Sequence, residues 1–243
     1  MIVNPRQGFS SAPVLSRQTG PHKRLAERLR RHAGRPYLQP LHRPTVQLFE
    51  SLMQVLEDHA GQPLILDSGC GNGLAATVLA GRNPGALVLG IDKSAHRLRG
   101  RSLVGGLSID GNCVWMRAEL ATFWRLLESH RIRLAKHYLL YPNPWPKPGQ
   151  LLRRWHAHPV FPTMLRLGGT LEMRTNWQVY ASEFALAIAQ LSGQPVSVEP
   201  LPAGQPLSQF ERKYLHSGHA LYRVRLSDLS SRGNQACNNQ NNH

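Results

Sequence analysis

The stretch Leu64-Ile65-Leu66-Asp67-Ser68-Gly69-Cys70-Gly71-Asn72-Gly73-Leu74 decides the fold. An apolar run meets an acid, the chain turns through three glycines, and residues 74–80 read as a helix. Glycine at such a joint permits a tight turn and lets a ligand approach backbone N–H groups closely. Outward from it the pattern repeats. Short apolar runs at 86–91, 113–116, 137–141 and 170–173 alternate with helical stretches near 95–101, 121–130, 158–165 and 177–191. Strand and helix taking turns, with Gly and Pro at the joints, predict a parallel sheet covered on both faces. Segments 195–199 and 219–226 add two edge strands. The expected architecture is a Rossmann-like α/β fold, doubly wound and mostly parallel, with seven strands and helices on both faces.

The opening loop also discriminates among ligands. A dinucleotide loop needs a third Gly or Ala where Leu74 stands, so G-x-G-x-x-G fails. Asp67 would repel a pyrophosphate but attract the ammonium and sulfonium of S-adenosylmethionine. The next strand ends in Gly90-Ile91-Asp92, where a carboxylate can hold both ribose hydroxyls, and Lys93 follows it. The third leads to Glu119, an acid placed to meet an adenine amino group. Each acid alone is equally a helix N-cap or a surface charge. Together, at the ends of three successive strands, they outline a cofactor crevice.

The flanks differ in composition. Residues 1–20 are rich in Ser, Pro, Gly and Gln and read as a flexible arm. Residues 21–60 form the basic helical segment, and within 21–45 Lys23, Arg24, Arg28, Arg30, Arg31, Arg35 and Arg43 stand against a single acid, Glu27. Leu25 and Leu29 mark one helix there, and residues 45–59 a second. The sheet domain runs over 61–228, and the Asn/Gln-rich tail 229–243 has no core-forming residues and reads as disordered. Lys and Arg number 29 against 14 Asp and Glu, a net charge of +15 that favours a polyanion. Nothing matches a membrane span or a secretory leader. Cys70, Cys113 and Cys237 have no paired spacing, which argues for a reducing cytoplasm and against a disulfide framework or a zinc site. His156 and His158, lacking a nearby Cys or acid, read as surface or RNA-facing residues.

After the fourth strand come Pro142-Asn143-Pro144-Trp145-Pro146-Lys147, then Arg153-Arg154 and His158-Pro159. Next stand Leu167-Gly168-Gly169-Thr170 and Met173-Arg174-Thr175-Asn176-Trp177. Leu207-Ser208-Gln209-Phe210-Glu211-Arg212-Lys213 and Gly218-His219 close the series. In this order and spacing it resembles the tRNA (guanine-N7)-methyltransferase family over about residues 18–226. The resemblance implies a class I methyltransferase that uses S-adenosylmethionine on tRNA in the cytoplasm, without a metal. It implies that Asp67, Gly69, Gly71, Gly73, Asp92, Lys93 and Glu119 face the cofactor. Asn143 would lie at the junction of cofactor and target base as the catalytic position, with Lys147, Arg153, Arg154, Asn176, Ser208 and Glu211 on the substrate side. Adjacent arginines also suit bidentate phosphate contact.

The family usually carries Asp where Asn143 and Asn176 stand. Gly149-Gln150 replace a common Arg-His, and Leu152 a common Lys. Guanine N7 has a free lone pair, so its methylation needs no base, and a carboxylate there would mainly grip the guanine edge and offset charge. Asn143 accepts a hydrogen bond without supplying that charge, and Glu211 is the acid expected to compensate. Asn143-Pro144-Trp145 also resembles the element with which amino-group methyltransferases hold adenine or cytosine. Three readings follow: guanine-N7 methylation of tRNA, methylation of an exocyclic amine or a smaller acceptor, and an RNA-binding paralogue of weak activity.

Overall fold

The computed structural model describes residues 11–202 and 204–227. The tail 229–243 and residues 1–10 of the arm lie outside the described residues. The apolar runs become strands because both of their faces are covered. β1 (Leu64–Ser68) and β2 (Leu87–Asp92) are buried at every position. They share one sheet with β3 (Leu107–Asp110), β4 (Cys113–Arg117), β5 (Lys136–Leu140), β6 (Thr170–Thr175), β7 (Val198–Pro200) and β8 (Tyr222–Leu226). The strand order is β3-β4-β2-β1-β5-β6-β8-β7. The five central strands are parallel, while β3 on β4, and β8 on β6 and β7, are antiparallel.

The sheet therefore has eight strands, one more than expected. The extra one, β3, forms a hairpin with β4 in which Asp110 faces Cys113 across Gly111-Asn112. Gly111 takes the positive φ (55°) that so short a connection needs.

Among the described residues eight α-helices flank the sheet: α1 (Leu25–Ala33), α2 (Arg43–Asp58), α3 (Leu74–Arg82), α4 (Ala95–Leu98), α5 (Leu120–Ser129), α6 (Phe161–Arg166), α7 (Gln178–Ser192) and α8 (Gln209–His216). Alternation along β2 divides the core. Leu87, Leu89 and Ile91 join the cluster that α1, α2, α5, α6 and α7 complete, and Val88 joins the one built on α3. Phe49 and Leu52 of α2 are almost fully buried, each contributing roughly 1.5–3 kcal/mol.

The basic segment belongs to this core. Leu25 and Leu29 are buried while Lys23, Arg24, Arg30 and Arg31 are exposed, so α1 packs inward and presents cations outward. The described part of the arm makes side-chain hydrogen bonds to the sheet domain. Ser16 Oγ donates to the Pro146 carbonyl at 2.6 Å, and Gln18 Nε2 to Glu183 Oε1 at 2.6 Å.

Candidate functional site

β1 has β2 on one side and β5 on the other, and the chain progresses outward in both directions. At such a switch point the loops after neighbouring strands diverge and leave a crevice at the strands' carboxyl ends. A cavity of about 480 Å³ opens there. Ser68, Gly69, Asp92, Lys93 and Glu119 line one part; Tyr141, Asn143, Trp145, Arg153, Trp155, His158, Phe210 and Tyr214 line another.

The glycine loop is held from beneath. Gly69 and Cys70 donate to the Ile91 carbonyl at 2.8 and 3.0 Å, joining the loop to the end of β2. Gly71 N–H donates to Asp92 Oδ2 at 3.0 Å and Ser94 N–H to Asp92 Oδ1 at 2.8 Å, so the carboxylate is oriented by backbone. Arg97 reaches the same carboxylate at 3.6 Å from the cavity side. Gly73 has φ +77°, and a Cβ on it would lie 2.4 Å from Trp115 Nε1. No other residue fits there.

Asp67 is 1% exposed, and its carboxylate has no side-chain donor among the described residues, only the Ala76 backbone lying near enough to favour the ionised form slightly. Burial, and then the neighbouring Asp92 charge, push its pKa up to about 7. A buried acid without a side-chain donor is costly unless a cation meets it. The α-ammonium of S-adenosylmethionine is such a cation, and Asp92 keeps acceptor capacity for two ribose hydroxyls. Glu119 caps α5, its oxygens accepting from Ala121 and Thr122 N–H at 3.0 and 2.7 Å, and it also lines the cavity. The cap and the cofactor wall are thus one residue. The residues present fit this cofactor.

On the target side, Asn143 is exposed within the cavity. Its loop is strained at both ends: Tyr141 and Trp145 take φ of 51° and 46°, a left-handed region unfavourable for aromatic residues. The Trp145 carbonyl accepts from Arg154 Nε and Nη2 at 3.2 and 3.0 Å, and the Arg153 guanidinium lies 4.7 Å from the Trp145 ring centre.

Several expected substrate residues do other work. Arg154 was expected at a phosphate, but it is fully buried, with Nη1 2.6 Å from Glu183 and Nη2 3.0 Å from Gln18. It is the buttress of the Asn143 loop, while Arg153 is exposed over the Trp145 ring. His156, expected at the surface, is fully buried and donates to Glu183 at 2.8 Å. Burial lowers its pKa, partly opposed by that carboxylate. Glu211, expected to supply a free charge, is buried with both oxygens 3.0 Å from Arg174 Nη1. Its charge is already met, so it does not compensate for an amide at 143. Ser208 caps α8 by accepting from Glu211 N–H at 3.1 Å, and Asn176 pairs with His219 at 3.0 Å. Lys147 is exposed on the turn after Trp145, outside the cavity wall. His158 does line the cavity, half-buried, and burial lowers its pKa.

Unforeseen wall residues are Arg97, Tyr141, Leu152, Trp155, Phe210 and Tyr214. Phe210 and Tyr214 had a legible signal, an i,i+4 aromatic pair beyond Ser208 in an S-x-x-E helix start.

A family model described as "Putative methyltransferase" matches residues 61–224. A tRNA (guanine-N(7)-)-methyltransferase of Syntrophotalea carbinolica is 32% identical over 176 residues, covering 66% of this chain and 72% of that protein. Its counterpart from Halorhodospira halophila is 30% identical, covering 67% and 75%. That of Acinetobacter baylyi is 27% identical, covering 68% and 69%. Among solved structures, an antibiotic-related methyltransferase superposes with TM-score 0.53 at 19% identity, covering 71% of this chain and 92% of that one. The 16S rRNA methyltransferase KamB superposes with TM-score 0.51 at 18% identity, covering 78% and 94%. These likenesses confirm the fold.

Proposed function

The chain belongs to the tRNA (guanine-N(7)-)-methyltransferase family as a diverged member, and on that premise we propose that it methylates N7 of a guanine in tRNA. The observation that carries the reading is the switch-point cavity that brings Asp92 and Glu119 together with the exposed amide of Asn143. S-adenosylmethionine, when bound, supplies a methyl group on a sulfonium with a good leaving group. Asp67 holds its ammonium, Asp92 its ribose, and Glu119 with Lys93 the adenine end. Such a methyl donor would ask only a free lone pair of its target nitrogen, so the residues around Asn143 need supply no base. No proton moves.

The chain's own task is alignment. Asn143 donates or accepts at the base edge from a loop whose strained conformation Arg154 fixes through the Trp145 carbonyl. With Glu211 paired to Arg174, transition-state stabilisation here rests on neutral hydrogen bonds and geometry. The exposed cations of α1, together with Arg153, favour a polyanionic substrate. Among the described residues no helix is long and apolar enough to cross a membrane; a cytoplasmic setting accords with tRNA as substrate.

A second reading, methylation of an exocyclic amine, is favoured by the exposed amide of Asn143 beside Pro144 and Trp145. One experiment decides: incubate the protein with tritiated S-adenosylmethionine and total tRNA lacking modifications, digest, and identify the labelled nucleoside. Label in 7-methylguanosine is expected. Label in a methylated adenosine or cytidine supports the second reading. Absence of label despite cofactor binding overturns both. Asn143→Asp is expected to raise guanine labelling by on the order of tenfold or more, since a charged partner is worth about 1.5–3 kcal/mol; a fall instead means that the amide is adapted to its target.

A further inference from the structure

α8 carries a feature that neither cofactor binding nor the capping of the helix explains. Its sequence, QFERKYLH, is polar, yet Phe210 is 41% exposed and lies on the cavity wall with Tyr214 one turn on. Phe210 and Tyr214 stack at 6.4 Å and 27°. Tyr214 stacks in turn on His219 at 5.3 Å and 17°. Tyr141, across the strained loop, leans on Tyr214 at 5.4 Å and 47°. Trp145 and Trp155 belong to the same cavity. An open cavity with aromatic faces suits a planar, π-rich ligand.

The stack is also rigidly mounted. Ser208 caps α8, the buried Glu211–Arg174 pair fixes it to β6, and Asn72 Nδ2 donates to Gln209 Oε1 at 2.9 Å, linking it to the glycine loop. His219 is held from both sides. Its Nε2 meets the Ser11 carbonyl at 2.8 Å, which can only accept, so Nε2 carries the proton. In the neutral ring Nδ1 then accepts, and Asn176 Nδ2 donates to it at 3.0 Å. The Asn176 amide thus completes the pair of hydrogen bonds that holds the His219 ring in place behind Tyr214.

We infer that Phe210 and Tyr214, backed by His219, form a stacking platform for a nucleobase swung into the cavity, with Asn176 as a positioning residue. The inference deepens the proposed function and rests on it only for the identity of the RNA. Base–aromatic stacking contributes about 1–3 kcal/mol per base, about 5- to 150-fold in affinity.

The test measures binding of unmodified tRNA transcript, with S-adenosylhomocysteine present, to wild type, Tyr214→Ala, Phe210→Ala and Tyr214→Phe over a series of salt concentrations. Each alanine variant is expected to bind about 5- to 150-fold more weakly with an unchanged salt slope, because no phosphate contact is lost. Tyr214→Phe is expected to bind as wild type. S-adenosylhomocysteine affinity of Tyr214→Ala, expected unchanged, shows that the fold is intact. Wild-type affinity in both alanine variants overturns the platform, as does a Tyr214→Phe defect equal to that of Tyr214→Ala. If wild type neither binds nor methylates tRNA, the proposed substrate fails. The same variants measured against a short single-stranded purine RNA then decide the platform by the same criteria.

Discussion

Replacing Asp67 by Asn moves binding and stability in opposite directions. The carboxylate is fully buried with no side-chain donor among the described residues, and its pKa is pushed up to about 7 by burial and by Asp92, which outweigh a hydrogen bond from the Ala76 backbone. Only the ionised form attracts the cofactor's ammonium, and that ammonium stays protonated below about pH 7.7. With a pKa near 7, about half of Asp67 is ionised at pH 7, about a tenth at pH 6 and about a hundredth at pH 5. Cofactor affinity is expected to fall about fivefold from pH 7 to pH 6 and about tenfold more by pH 5. Asp67→Asn should bind more weakly at pH 7 and lose most of this slope.

Stability has the contrary sign. The folded state retains the Asp67 proton over the range in which the unfolded chain releases it, so the group destabilises the free protein as pH rises from its ordinary 3.8 toward about 7. Asp67→Asn should therefore melt higher than wild type at pH 8 without cofactor, with about 4 kcal/mol as the ceiling on the gain. The assay is calorimetric titration of S-adenosylmethionine at pH 5, 6 and 7, with thermal denaturation of both free proteins. An affinity flat with pH, or an equal slope in Asp67→Asn, would refute the assignment.

Two further substitutions probe the scaffold. Gly73→Ala combines a left-handed backbone with a Cβ 2.4 Å from Trp115 Nε1, and should cost about 2–4 kcal/mol in urea denaturation; wild-type stability would sink the close-packing argument. Arg154→Met leaves Glu183 buried without its guanidinium and should cost about 3–5 kcal/mol at pH 7. Burial raises the Glu183 pKa, but hydrogen bonds from His156 and Arg154 outweigh it and hold the group below its ordinary range. Its stabilisation is thus present above its ordinary pKa of 4.5 and lost as pH falls below that value. The difference in urea midpoint between wild type and Arg154→Met should shrink from pH 7 to pH 4, and a constant difference would show that the pair's charge is irrelevant.

The parts legible in the sequence were those governed by local rules. Five buried runs, the glycines at their ends and the acids beyond them state a switch-point crevice, because strands buried on both faces have no alternative to being apolar throughout. β3 escaped because its four residues are half-exposed and carry little apolar signal; the Asp110-Gly111-Asn112-Cys113 turn was the available clue. Arg153 and Arg154 look alike in sequence, yet one is exposed and the other fully buried. Their difference is set by Glu183, an acid 29 residues on in a helix otherwise lined by Val179, Tyr180, Ala181 and Phe184. A charge in such a setting demands a counter-charge, but sequence does not say which. Ser208 and Glu211 follow a helix-start pattern, and α8 as a helix was readable from it.

The hydrogen bonds from Gln18 and from His22 N–H to Glu183 close spans of 165 and 161 residues, and Ser16 adds a clasp on Pro146. These ties reach the sheet domain from well before residue 61, where the family model begins. A fragment trimmed to the matched segment would retain β1 to β7 and the acids at the cofactor end but would cut β8 short. It would bury Glu183 with two donors fewer and leave the Asn143 loop without its outer tie. Contacts of such sequence separation carry a larger loop-closure cost than local ones, and the loop that presents Asn143 depends on them.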